Sequence, residues 1–208
     1  LSAVNAGVID SSSNNDFITA GSAAISTAQS KYGTGSLFFN GTSDYVYAGR
    51  PSPAYDFGTG DFTVEFWVYP LSGPAGTYNP AFYTHNSTGG AAWNANGGFR
   101  IHHGNVLFSN SGQLNYSSAI TNNVWTHMAL VRSGNTMTMY KNGVANGTLT
   151  YTIAAGSPLC QPALAISDSA DTGGREYLNG YIDDLRITKG IARYTGTFTP
   201  PTASFPTK

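Results

Sequence analysis

Between Val124 and Gly143 the chain reads VWTHMALVRSGNTMTMYKNG, and its apolar residues recur with the two-residue period of a β-strand. Trp125, His127, Ala129 and Val131 share one face, Met128 and Leu130 the other. Both faces are apolar, so this strand is expected inside its sheet with material packed on each side. Ser133-Gly134-Asn135 supplies a turn, and Thr136 to Lys141 sets Met137 and Met139 against Thr136, Thr138 and Tyr140. Asn142-Gly143 then gives a hairpin signal. In DFTVEFWVYP the same alternation assigns Phe62, Val64, Phe66 and Val68 to the core and turns Thr63, Glu65, Trp67 and Tyr69 outward.

The remaining pattern extends this picture. The first thirty or so residues are rich in Ser, Ala, Asn and Thr and predict edge strands and loops. Further strands are expected at Ser36 to Phe39, Asp44 to Ala48, Phe82 to Thr84, Gly98 to His102, Asn105 to Ser109, Pro162 to Ile166 and Glu176 to Thr188. A long loop runs from Leu71 to Gly98 around the strand at Phe82, and Trp93 stands in it without apolar neighbours. The tail, with Pro200-Pro201 and Pro206, predicts an extended strap over residues 189–208 rather than another strand. No helical period appears, and the fold expected is an all-β, two-sheet antiparallel jelly-roll sandwich spanning residues 1–208 as one domain.

Composition agrees. Twenty-five Gly and 24 Tyr plus Phe, beside 10% charged residues, suit turn-rich aromatic β structure. A net charge of -1, with the ten Lys and Arg scattered singly, argues against nucleic acid as a partner. No apolar run approaches the roughly 20 residues of a membrane span, so no membrane insertion is expected. The start at Leu1 suggests a processed or excised part of a longer chain. Cys160 is the single cysteine and excludes an internal disulfide. The sequons at Asn40, Asn86, Asn115 and Asn146 are read as chance in an Asn-, Ser- and Thr-rich chain.

The run YGTGSLFFNGTSDYVY, followed in order by FGTGDFTVEFWVYP, VWTHMALVRSGNTMTMYKNG and NGYIDDLRITKGIARYTGTFTPP, resembles the laminin-G-like, concanavalin-A-like jelly roll. It is similar to the version found in bacterial surface proteins and in tail, fibre and capsid-associated proteins of phages. The resemblance runs from about Asp10 to about Pro201, and its closing segment is the most specific part. It implies carbohydrate or protein binding, adhesion, or a building block of a larger particle. The expected setting is a virion surface or the cell exterior, with virion or surface-protein subunits and a host-surface glycan as partners. A carbohydrate-binding or adhesin domain of a bacterial secreted protein is the alternative.

Hydrolysis is the first chemistry to weigh, because laminarinase-like relatives of this fold are retaining glycosidases. They need two carboxylates about 5 Å apart, set on alternating positions of one strand. The two glutamates here, Glu65 and Glu176, lie far apart in sequence and no strand alternates acids, so no catalytic residue is assigned. No G-x-S-x-G elbow marks a serine nucleophile, and no zinc spacing links His85, His102, His103 and His127. Cys160 is read as a structural thiol and His127 as a hydrogen-bonded core histidine.

Glycan binding has a candidate platform in the outward face with Trp67 and Tyr69, joined by Arg100 and His102 from a nearby strand and by Trp93 from the long loop. Trp67 and Tyr69 could equally pack beneath loops or the strap, and Trp93 could plug a neighbouring subunit. In GYIDDLRIT, strand parity puts Asp183 with Tyr181, Leu185 and Ile187 on an apolar face, where a bare carboxylate is costly. A structural calcium held by Asp183, Asn40, Gly41 and Asp44 would satisfy it, and the resemblance implies such a site. Arg186, Arg193 or backbone N–H groups would serve as well. Asp168 and Asp171 form a weaker second candidate.

Overall fold

A computed structural model describes residues 17–50, 52–72, 79–86, 98–108, 112–155, 160–168 and 175–206. The strands are β1 (Phe17–Ala20), β2 (Ala24–Ser26), β3 (Ser36–Asn40), β4 (Tyr45–Ala48), β5 (Phe62–Pro70), β6 (Pro80–Asn86), β7 (Phe99–His102) and β8 (Asn105–Phe108). They continue with β9 (Gln113–Asn115), β10 (Thr126–Ser133), β11 (Thr136–Lys141), β12 (Val144–Thr150), β13 (Cys160–Leu164), β14 (Ile166–Asp168), β15 (Arg175–Tyr177) and β16 (Asn179–Lys189). Two seven-stranded sheets result, ordered β1-β4-β13-β6-β7-β8-β9 and β12-β11-β10-β5-β16-β3-β2, with β14-β15 as a small third ladder. Every pairing is antiparallel. Among the described residues the sole helical element is a 3-10 turn at Pro53–Tyr55. This is the all-β sandwich that the alternation predicts.

The alternating residues explain how the layers join. Phe62, Val64, Phe66 and Val68 from β5, with Met128 and Leu130 from β10, face Val46, Phe82, Phe99 and Ile101 of the opposite sheet in one core. Aromatic rings cross the seam: Phe57 stacks on Phe62 at 4.5 Å, and Phe62 lies 5.6 Å from Phe99. At the hairpin between β11 and β12, Asn142 and Gly143 take φ of 50° and 80°, the left-handed pair that a two-residue turn between twisted strands requires.

Residues 191–206 form no strand and lie across the outer face of the second sheet. Ala192, Tyr194 and Phe198 pack on Ala129, Val131 and Tyr140, so the second apolar face of β10 is covered by the chain's own end. Tyr194 and Phe198 stack at 3.5 Å with planes 5° apart, and the Phe198 N–H donates to the Gly143 carbonyl at 3.0 Å.

Candidate functional site

The outward residues of β5 are not the open platform that their alternation suggests. Thr63 and Glu65 are fully buried and Trp67 nearly so. Glu65 Oε1 accepts from Arg186 Nε and Nη2, both at 2.8 Å, while Oε2 accepts from the Tyr194 hydroxyl at 2.8 Å and lies 3.4 Å from His127 Nε2. Burial alone would raise the Glu65 pKa; the hydrogen bonds from His127, Tyr194 and Arg186 and the Arg186 charge outweigh it and hold the group below the ordinary glutamate value. The same contact, after burial, pushes Tyr194 up to about 12. A carboxylate so enclosed reaches no sugar, and it works as an internal anchor for the strap. His127 is buried on the strap side of its sheet, edge-on to Trp67 and Phe198.

Trp67 is corrected as a site residue for a related reason. The loop before β3 folds over it, with the Lys31 ammonium 3.9 Å from its ring and Tyr32 edge-on at 6.0 Å. Tyr69, two residues on, remains partly exposed. Arg100 and His102 do not join this face, because β7 belongs to the other sheet. Trp93, Asp171 and the side chains of His85, Cys160 and Asp168 lie outside the described residues.

The four proposed calcium ligands do not converge. The Asn40 side-chain oxygen accepts from the Thr42, Ser43 and Asp44 N–H groups, closing a turn on itself. Asp44 is fully buried among protein donors: Oδ1 accepts from the Ser22 N–H at 2.7 Å, and Oδ2 from the Asn40 N–H at 3.1 Å. Asn179 pairs with Asn40, which leaves Asp183 four residues further along β16, roughly 13 Å away. Asp183 Oδ2 is satisfied by the Lys31 and Tyr32 N–H groups at 2.8 and 3.1 Å. Its assignment to the apolar face also fails. Asp184 adopts φ 51° at a bulge between Asp183 and Arg186, so Tyr181 and Asp183 point outward while Leu185 and Ile187 turn to the core. These residues do not fit a cation, and among the described residues no three His, Cys, Asp or Glu cluster as ligands.

What the fold does assemble is a cross-strand row on the outer face of the first sheet. Register sets Tyr47 beside Ala163, Ala163 beside Tyr83, Tyr83 beside Arg100 and Arg100 beside Leu107. Tyr45 is 5.7 Å from Tyr47 and 6.4 Å from Tyr177, and all three rings are partly exposed around the buried Tyr83, Ala163 and Ile166. Burial, then the Arg100 charge, push His102 down to about 3 against a raising hydrogen bond with Asn105, so it is neutral at pH 7. Burial pushes His103 down to about 4. The arrangement offers partly exposed aromatic faces and phenolic hydroxyls. Sequence patterning missed it because Tyr45 and Tyr47, Tyr83, and Tyr177 come from three strands far apart in the chain.

Two seven-stranded antiparallel sheets, packed through aromatic and aliphatic residues and carrying ring clusters on an outer face, define a concanavalin A-like sandwich. The chain belongs to the concanavalin A-like lectin/glucanases superfamily: the Laminin_G_3 family model matches residues 40–191, more than half of its length. No curated protein is significantly similar to it in sequence. Among solved structures it is similar to domain 4 of AbnA, a GH43 extracellular arabinanase from Geobacillus stearothermophilus, in complex with arabinotriose. That likeness has a TM-score of 0.60 at 19% identity and covers 82% of this chain and 76% of the other. The binding domain of botulinum neurotoxin DC in complex with SialylT matches with a TM-score of 0.56 at 15% identity, over 85% of this chain and 43% of its own. A botulinum neurotoxin type C structure, whose cell entry depends on two ganglioside molecules, matches with a TM-score of 0.55 at 14% identity, over 86% and 44%. The chain thus spans under half of the neurotoxin structures. At these identities the likeness is one of fold. Among the described residues no helix is long and apolar enough to cross a membrane.

Proposed function

We propose that this chain is a non-enzymatic adhesion module that binds glycans through the outer face of its first sheet. The observation that carries the reading is the cluster of Tyr45, Tyr47 and Tyr177, three partly exposed rings of which Tyr45 lies 5.7 Å from Tyr47 and 6.4 Å from Tyr177. Aromatic faces shed water against the apolar side of a sugar ring, and phenolic hydroxyls orient its polar edge. The superfamily and the glycan complexes of two structural neighbours support this reading. The enclosure of Glu65 supports a binding rather than a hydrolytic role. The setting we favour is display on a phage virion, as a decoration, fibre or tail-associated component touching host glycans, on the strength of the closing IDDLRITKGIARYTGTFTPP motif.

The test is a glycan array probed with the purified chain and with Tyr45→Ala/Tyr47→Ala. Selective binding that the double variant loses is expected. An array without signal, or a signal that the variant keeps, refutes the assignment of this face.

A further inference from the structure

The outer face of the second sheet carries another ring system, separate from the first. Register places Tyr181 of β16 opposite both Tyr69 of β5 and Phe38 of β3. Trp125, just before β10, completes the line beside Tyr69. The ring centroids are 5.4 Å apart from Trp125 to Tyr69, 6.0 Å from Tyr69 to Tyr181 and 5.1 Å from Tyr181 to Phe38. Three of the four are partly exposed, and Tyr181 between them is buried.

None of these rings belongs to the core. Val68 and Ile182, their neighbours along the strands, turn inward and fill it. Nor are they where the strap's rings dock, since Ala192, Tyr194 and Phe198 sit on Ala129, Val131 and Tyr140. Three partly exposed aromatics seated around the buried Tyr181, on a face turned away from the core and clear of the strap's rings, form the kind of patch that marks a binding surface.

From this geometry we infer that Trp125, Tyr69, Tyr181 and Phe38 form a second glycan site, one that takes a single neutral, unbranched oligosaccharide laid across four strands. The row crosses three strand spacings of about 4.8 Å, or roughly 14 Å, the reach of a short oligosaccharide. Neighbouring ring planes are tilted by 52°, 72° and 47°, so they offer a twisted track and no flat plane for a crystalline polysaccharide surface. The borders suit hydroxyls. Asn40 and Asn179 pair in register on one side, where the Asn179 amide donates to Ser72 Oγ at 2.7 Å. Lys31 and Asp183 stand on the other, one cation and one anion, which gives no net preference for a charged sugar. The row is also narrow beside the roughly 800 Å² per partner that a stable protein interface buries, and polar groups close it on both sides.

The site does not depend on the first-sheet face, and one experiment separates the two. Short soluble linear arabino-, xylo-, gluco- and manno-oligosaccharides are titrated into the full chain, following the indole N–H resonance of Trp125 and the calorimetric Kd. Saturable movement of that resonance by at least one oligosaccharide is expected, with about a tenfold loss of affinity for that sugar in Trp125→Ala and in Tyr69→Ala. Because the resonance is read in the unaltered protein, poor folding of a variant does not remove the test. An indole signal that stays still for every sugar overturns the inference, as does binding lost in the Tyr45/Tyr47 variant alone. A signal that moves with protein concentration in the absence of sugar overturns it too, by showing a self-association surface.

Discussion

Glu65 shows how one buried charge is made tolerable and useful. Its oxygens accept from Arg186 and Tyr194, and removing the charge leaves Arg186 facing a neutral amide beneath the strap. Glu65→Gln is expected to cost about 3 kcal/mol in urea unfolding, and adding Arg186→Met should restore part of it, because an uncompensated charge is worse than none. Full stability in Glu65→Gln would contradict this. Arg132 is equally enclosed, with its guanidinium donating to the carbonyls of Gly134, Gly58, Ile153 and Tyr151 at 2.9 to 3.2 Å. Arg132→Lys loses the planar fork and should cost about 2 kcal/mol. His102 and His103 add a pH dependence. Burial, with the Arg100 charge at His102, holds them down to about 3 and about 4 in the folded chain, below the ordinary 6.5, so the unfolded state binds their protons first as pH falls. Stability is therefore complete above pH 6.5 and declines below it, by about 1.4 kcal/mol per pH unit for each histidine. Urea midpoints at pH 7 and pH 5 should differ, and His103→Gln should narrow the gap; equal midpoints would show that these rings protonate in place.

At the scale of elements, what was legible in the sequence depended on whether a signal was local. The faces of β5 and β10 follow from strict alternation over eight or nine residues and need no partner to be read. The face of Asp183 does not. A single non-glycine residue at φ 51°, Asp184, inserts a bulge that reverses parity beyond it, and nothing in IDDLRIT announces a left-handed aspartate. Arg100 and His102 are expected to join Trp67 and Tyr69, but strand pairing is non-local, and β7 in fact joins the opposite sheet. The strap depends on an equally unannounced approach. Gly143 has φ 80°, and a methyl group on it would collide with the Phe198 carbonyl oxygen. Gly143→Ala should loosen the strap while leaving the sandwich folded, which limited trypsin digestion would detect as cleavage after Arg193 at protease levels the parent chain resists. Equal resistance would show that the strap is held elsewhere. Chelation should leave the melting temperature unchanged, because Asp44 and Asp183 already spend their oxygens on protein N–H groups in separate places.

Across the whole molecule, the two sheets divide the work. Their inner faces make one core, the outer face of the second sheet is partly closed by the chain's own end, and the outer face of the first sheet keeps partly exposed rings. Adhesion by this account needs rigidity more than chemistry: the tyrosines are held in register by strand pairing, so little ordering remains to be done when a sugar arrives. The most direct measurement is isothermal titration of the best array-selected oligosaccharide into the parent chain and into Tyr45→Ala/Tyr47→Ala, with thermal unfolding of both as a fold control. The account predicts saturable binding by the parent, about a tenfold or greater loss in the variant with its melting transition intact, and no cleavage of the sugar. Unchanged affinity in a folded variant, or release of sugar products, would contradict it.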